Sequence, residues 1–149
     1  MIDRAWIGRE LGTSTLAIDA TRLRFFAKAI GETDPVYVDD DAAKAAGYAA
    51  LPAPPTFLFA AELDDGATDR MLADLGVPIA HILHGEQRFA YHRVACAGDT
   101  VTVASKIEDI YDKKGGALQF IVRSSRATDQ HDALVAEMTT VIVVKGLAS

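Results

Sequence analysis

Cysteine is almost missing from this chain: Cys96 is the only one in 149 residues. A lone cysteine closes no internal disulfide, which fits a reducing compartment such as the cytoplasm. Its neighbours are Ala95 and Ala97, so it reads as a small buried apolar residue rather than a nucleophile. No hydrophobic run reaches the roughly 20 residues of a membrane span. The opening MIDRAWIGRE is charged and has no apolar core segment, so no signal peptide is expected. Positive charge is in deficit, with 15 Lys and Arg against 21 Asp and Glu. The net charge of −6 argues against a nucleic-acid surface, which needs a basic stripe. It leaves room for a local basic patch that meets a phosphorylated ligand. His81, His84, His92 and His131 are the only histidines and have no second cluster at ligand spacing, so no metal site is expected. A glycine-rich phosphate loop and a G-x-S-x-G elbow are both lacking.

Half of the residues are hydrophobic. That suffices for a packed core without metal or disulfide support. The length suits one domain, residues 1–149, and no repeat or linker divides it. Residues 11–18 carry a weak strand signal in Leu11, Leu16 and Ile18. Asp19 is placed to cap a helix over residues 20–30, where Leu23, Phe26, Ala27 and Ile30 recur at helical spacing. Gly31 ends it. Glu32, Thr33, Asp34 and Pro35 form a polar turn, and Asp39 caps a short helix that Gly47 closes. Pro54 and Pro55 lack amide donors and suit a helix start. Residues 56–63 are nearly all apolar, which predicts a helix buried on every side. Residues 68–75 predict another short helix.

From Ile79 the period changes to two. Strands are expected over residues 79–83 and 86–94, with Phe89 and Tyr91 on one face. Gly98 and Asp99 turn the chain. Val101, Val103 and Ile107 alternate until a break near Ile110 that suggests a bulge. Residues 113–116 form a hairpin loop. Leu118, Phe120 and Val122 alternate next, residues 129–132 turn, and residues 134–144 form a β-branched strand with 141–144 apolar on both faces. Helices gathered ahead of a strand meander predict an α+β domain. A curved antiparallel sheet must wrap the apolar helix, which is a hot-dog arrangement. An α+β sandwich with helices on one face is the alternative.

Three ordered segments then carry a resemblance: FFAKAIGETDPVYVDDDAAKAAGYAALPAPPTF, LHGEQRFAYHRVACAGDTVTV and IYDKKGG. Together, over residues 7–144, they resemble the MaoC-like dehydratase N-terminal domain, or FAS1-type dehydratase region. The resemblance implies a hot-dog fold and the chemistry of R-specific enoyl-thioester hydratases, or 3-hydroxyacyl-thioester dehydratases in reverse. That chemistry asks for a general acid and base beside the α- and β-carbons. It also asks for a donor, such as an amide at a helix start, to the thioester carbonyl as enolate charge develops. Active members of the family carry a G-D-x-N-P-x-H-x-D turn and an H-G pair opening the central helix.

In this chain the turn reads Gly31, Glu32, Thr33, Asp34, Pro35, Val36, Tyr37, Val38, Asp39. Glu32 stands at the catalytic aspartate position and Tyr37 at the histidine position. The H-G pair falls on Pro54 and Pro55, and Pro55 has no amide hydrogen to donate. The resemblance therefore implies a degenerate half that binds the acyl chain and pairs with a catalytic MaoC-domain chain, as a heterodimer or as a homodimer alone. Glu32 and Asp34 are the candidate catalytic groups, though Asp34 also suits a turn former. Tyr37, Tyr48, Phe57, His84 and His92 are the candidate substrate-binding residues. Tyr37 has a packing role open to it, and His84 and His92, with Arg88 and Arg93, read equally as edge-strand residues. CoA or acyl-carrier protein would carry the substrate, and no metal or redox cofactor is implied. A hot-dog thioesterase using Glu32 or Asp34 as base, and a non-enzymatic acyl-CoA binding module, are the competing readings, because one fold serves several chemistries.

Overall fold

A computed structural model describes residues 1–146. Residues 147–149, part of the expected 1–149 unit, lie outside the described residues. The five strands are β1 (Glu10–Ala17), β2 (Ile82–Tyr91), β3 (Thr100–Lys113), β4 (Leu118–Thr128) and β5 (Leu134–Lys145). They pair antiparallel throughout, in the order β1-β3-β4-β5-β2. The helices are α1 (Ala20–Ala29), α2 (Asp40–Ala45), α3 (Ala60–Asp64) and α4 (Ala67–Asp74). A 3-10 turn, Phe57–Phe59, runs directly into α3, and the two make the central helix. The sheet curls around this helix in the expected hot-dog arrangement. Among the described residues, no helix is long and apolar enough to cross a membrane.

Local chemistry sets the helix ends where the sequence places them. The Asp19 carboxylate accepts the Arg22 amide and opens α1, and Gly31 leaves it at φ 73°. The Asp39 carboxylate accepts the Ala42 amide and opens α2. The connector after α2 is pinned by the Ala53 amide donating to Ala95 O and the Ala97 amide to Leu51 O, both at 2.8 Å. This pairing fixes Pro54 and Pro55 beside the end of β2.

Several expectations are corrected. The central helix is not buried all round: Phe57, Leu58, Ala61 and Glu62 face the core, while Leu63 is half exposed. The sheet covers only one side, and the charged Glu62 is buried along with the apolar residues there. The helix also starts later than the proline pair. Thr56, at φ 76°, separates Pro55 from the first helical residue. Residues 79–81 form a 3-10 turn, and β2 is one strand whose register shifts between His84 and Glu86. The cause sits at Gly85: a side chain there would stand 2.7 Å from Val143 Cγ2 and 3.1 Å from Val141 O. On β3 the bulge lies between Ile107 and Asp109, slightly ahead of the break read near Ile110.

On β4 the alternation read from the sequence holds, but its apolar members do not take the buried face. Leu118, Phe120 and Val122 lie on its less covered face, where Phe120 stacks on Tyr111 at 4.7 Å. The buried face is Gln119, Ile121, Arg123, Ser125 and Ala127. Ile121 joins one apolar cluster with Ile107, Ile142, Met71 and Val77, and Ala127 joins another with Leu23, Phe57, Leu58 and Val103. Arg123 and Ser125 fall between the two and meet Glu62 of the central helix.

Candidate functional site

Two stretches that share the altered motif come together in space. The turn carrying Tyr37 and the connector carrying Pro54 and Pro55 form the walls of a pocket of about 230 Å³. Tyr48, Leu58, Tyr91 and Arg93 complete most of the lining. No lining residue is a histidine or a carboxylate.

The two candidate carboxylates are committed to their own loop. Glu32 Oε1 accepts the amides of Thr33 and Asp34 at 2.8 and 2.9 Å. Asp34 Oδ1 accepts the Val36 amide at 3.0 Å and caps the 3-10 turn Pro35–Tyr37. Both hold the backbone that presents Tyr37. The Tyr37 phenol is pushed above its ordinary pKa, first by burial and then by the negative charge of Glu32, with Tyr48 and Asp34 adding to it. It is therefore a proton-bearing donor at neutral pH and does not titrate there.

Pro54 and Pro55 bring no amide hydrogen to the pocket. The first amide after them is that of Thr56, and it donates to the Tyr91 hydroxyl oxygen at 2.9 Å. Burial raises the Tyr91 pKa despite this hydrogen bond. Thr56 is in the left-handed region without being glycine, a conformation that costs energy and that surrounding contacts hold in place.

The remaining candidates are dispersed. Tyr48 lines the pocket with Tyr37. Phe57 does not: it is buried in the core, edge-on to Phe26 at 5.3 Å, with the Arg22 guanidinium 5.7 Å over its ring. His84 packs edge-on to Phe59 at 5.1 Å and lines a separate groove with Phe26, Leu63 and Phe89. His92, just past β2, places Nε2 3.0 Å from Glu137 Oε2 and turns to the sheet surface. Its neighbour Arg93 is the basic residue that reaches the pocket. Sequence reading noted Tyr91 only as sharing a strand face with Phe89. The two rings do stack at 5.6 Å, but nothing in the period indicates that the hydroxyl meets Thr56.

Comparison with known proteins agrees with this architecture. The family model for the FAS1-like, dehydratase domain region matches residues 5–138. A UPF0336 protein of Streptomyces avermitilis is 40% identical over 115 residues, covering 76% of this chain and 77% of that protein. Among solved structures, the chain is similar to the C-terminally truncated HadBC (3R-hydroxyacyl-ACP dehydratase) complex of Mycobacterium tuberculosis. The TM-score is 0.72 at 26% identity, covering 86% of this chain and 89% of the other. The MaoC-like dehydratase of Rhodospirillum rubrum shares the fold, with TM-score 0.68 at 20% identity over 96% of this chain and 94% of that one. An antiparallel sheet wrapped on one central helix, a pocket at the motif-bearing turn and a family match over most of the length lead to one conclusion: the chain belongs to the FAS1-like dehydratase domain region family.

Proposed function

We propose that this protein is the acyl-thioester-binding subunit of an R-specific enoyl-thioester hydratase, or 3-hydroxyacyl-thioester dehydratase. A second, catalytic chain supplies the acid and base. The observation that carries the proposal is the pocket itself: it stands at the family's catalytic turn, yet phenols and prolines line it. The carboxylates beside it are bound to backbone amides. Adding water across an enoyl double bond needs a proton acceptor and donor matched to neutral pH, and a phenol near pKa 10 supplies neither well. Tyr37 and Tyr48 suit hydrogen bonding to a substrate carbonyl instead. The M. tuberculosis dehydratase to which the chain is similar is a two-chain complex, which supports a partner subunit. The β2 edge supports it too, being unpaired on one side, with Leu83 about half exposed. In this reading the protein acts in the cytoplasm on a CoA or carrier-protein thioester, without metal or redox cofactor, and forms a homodimer when alone.

The test is hydration of crotonyl-CoA and longer enoyl-CoAs, followed by loss of the enoyl-thioester ultraviolet absorbance. The purified chain is expected to turn over very slowly or not at all. Adding a chain with an intact G-D-x-N-P-x-H turn should restore the reaction, with Glu32→Ala having little effect. Robust turnover by the purified chain alone, abolished by Glu32→Ala, would overturn the proposal. Release of free thiol would mark a thioesterase. Acyl-CoA binding without turnover under any pairing would leave a binding module.

A further inference from the structure

The central helix and β2 leave two hollows, not one. The first is the pocket at the altered turn, whose lining includes Pro55 and Tyr91. The second is an open groove of about 410 Å³ whose lining includes Thr56 and Phe89. Pro55 and Thr56 are neighbours in the chain, and Phe89 and Tyr91 are stacked neighbours on one face of β2. The hydrogen bond from the Thr56 amide to the Tyr91 hydroxyl therefore runs along the boundary between the hollows. One end belongs to each lining. Tyr91 is 48% exposed, so packing does not enclose it on every side. Thr56 is exposed as well, so water can take up its amide when the phenol leaves.

We infer that Tyr91 is a movable partition: turning its hydroxyl off the Thr56 amide joins pocket and groove into one slot, and that slot takes the alkyl chain of a long acyl thioester. The inference rests on the acyl-thioester reading above and adds the residue that sets chain length. The groove suits this occupant. Phe26, Phe59, Leu63 and Phe89 give it largely apolar walls, beside His84 and Gln87, which match a slender alkyl chain. It also adjoins the pocket in which a thioester carbonyl would meet Tyr37 and Tyr48. A short chain fits in the pocket with the partition closed. A long chain pays for opening it, and the loss of one neutral hydrogen bond corresponds to about two- to tenfold in a binding constant.

The experiment is calorimetric titration of the purified chain with butanoyl-, octanoyl- and dodecanoyl-CoA, in wild type, Tyr91→Phe and Tyr91→Ala. Amide hydrogen exchange at Thr56 is followed by NMR in parallel. In the wild type, butanoyl-CoA should leave the Thr56 amide protected and dodecanoyl-CoA should expose it. Tyr91→Phe keeps the ring and removes the hydroxyl. It should raise the ratio of dodecanoyl to butanoyl affinity by about two- to tenfold, and Tyr91→Ala should raise it further. Thr56 protection that persists with dodecanoyl-CoA bound, or an affinity ratio that neither variant changes, overturns the partition while leaving acyl binding intact. If none of the three thioesters binds any variant, with or without a catalytic partner, the acyl-thioester reading fails and the partition fails with it.

Discussion

Arg123 of β4 and Glu62 of the central helix form an ion pair with both side chains out of water, at 2% and 1% exposure. Ser125 donates to the same carboxylate, and the Thr68 hydroxyl bridges Arg123 to the Glu62 carbonyl. Burial pushes the Arg123 pKa down, while Glu62 opposes that shift. The guanidinium stays charged at neutral pH in any case. The pair ties the helix beside the pocket to the middle of the sheet, between two apolar clusters.

Arg123→Met leaves Glu62 as a buried charge without its counterion. It should lower unfolding stability by about 3–5 kcal/mol. Glu62→Leu combined with Arg123→Met should recover most of that loss, because two apolar side chains need no partners. Arg123 Nε already lacks a hydrogen-bond partner, which favours the apolar replacement further. Urea midpoints of the two variants check this; equal losses in both would show that packing volume, not charge pairing, dominates.

The bulge in β2 depends on Gly85. Gly85→Ala places a methyl 2.7 Å from Val143 Cγ2 and 3.1 Å from Val141 O. The backbone carbonyl cannot step aside as a side chain can. The expected cost is about 1–3 kcal/mol, and adding Val143→Ala should return only part of it. Thermal unfolding of the single and double variants is the measurement.

Acid stability should depend on Asp129. Its carboxylate accepts the His131 and Ala133 amides at 2.8 and 3.0 Å. These hydrogen bonds, the His131 amide first, hold its pKa below the ordinary aspartate value. A carboxylate depressed in the folded state stabilises above its unfolded pKa, and that contribution fades as pH falls through the lower folded value. The stability gap between wild type and Asp129→Asn should therefore be present at neutral pH and close on the acid side, below about pH 4. Urea titrations at pH 7 and at pH 3 test the sign; a gap that widens in acid contradicts it.

Cys96 should be a poor nucleophile. Burial raises its thiol pKa, and the charge of Asp99 raises it further against one hydrogen bond from Ala50. Alkylation by iodoacetamide at pH 7.5 should run slower than that of free cysteine, since the thiolate is the reactive species. Unfolding in urea should restore the ordinary rate.

Much of this protein is decided within short windows of its sequence. Asp19 and Asp39 cap the helices they precede because a carboxylate three residues upstream reaches an orphan amide by itself. The period-two stretches became antiparallel strands, and no proline after Pro78 interrupts them. The motif order identified the family, and Tyr37, Pro54 and Pro55 did converge on one pocket. What a period cannot state is which face turns inward. On β4, the mixed series Gln119, Ile121, Arg123, Ser125 and Ala127 went to the core, and the apolar series Leu118, Phe120 and Val122 took the half-buried face. Arg123 and Ser125 meet Glu62 there, and the partners of that carboxylate, Arg123, Ser125 and Thr140, lie 61, 63 and 78 residues away. Phe57 was drawn into the core by Phe26 and Leu23 rather than to the pocket. Tyr91 meets Thr56 across 35 residues only because the curl of the sheet lays the inner face of β2 along the central helix. Burial and hydrogen bonding depend on what arrives opposite a residue, and only the folded chain determines that.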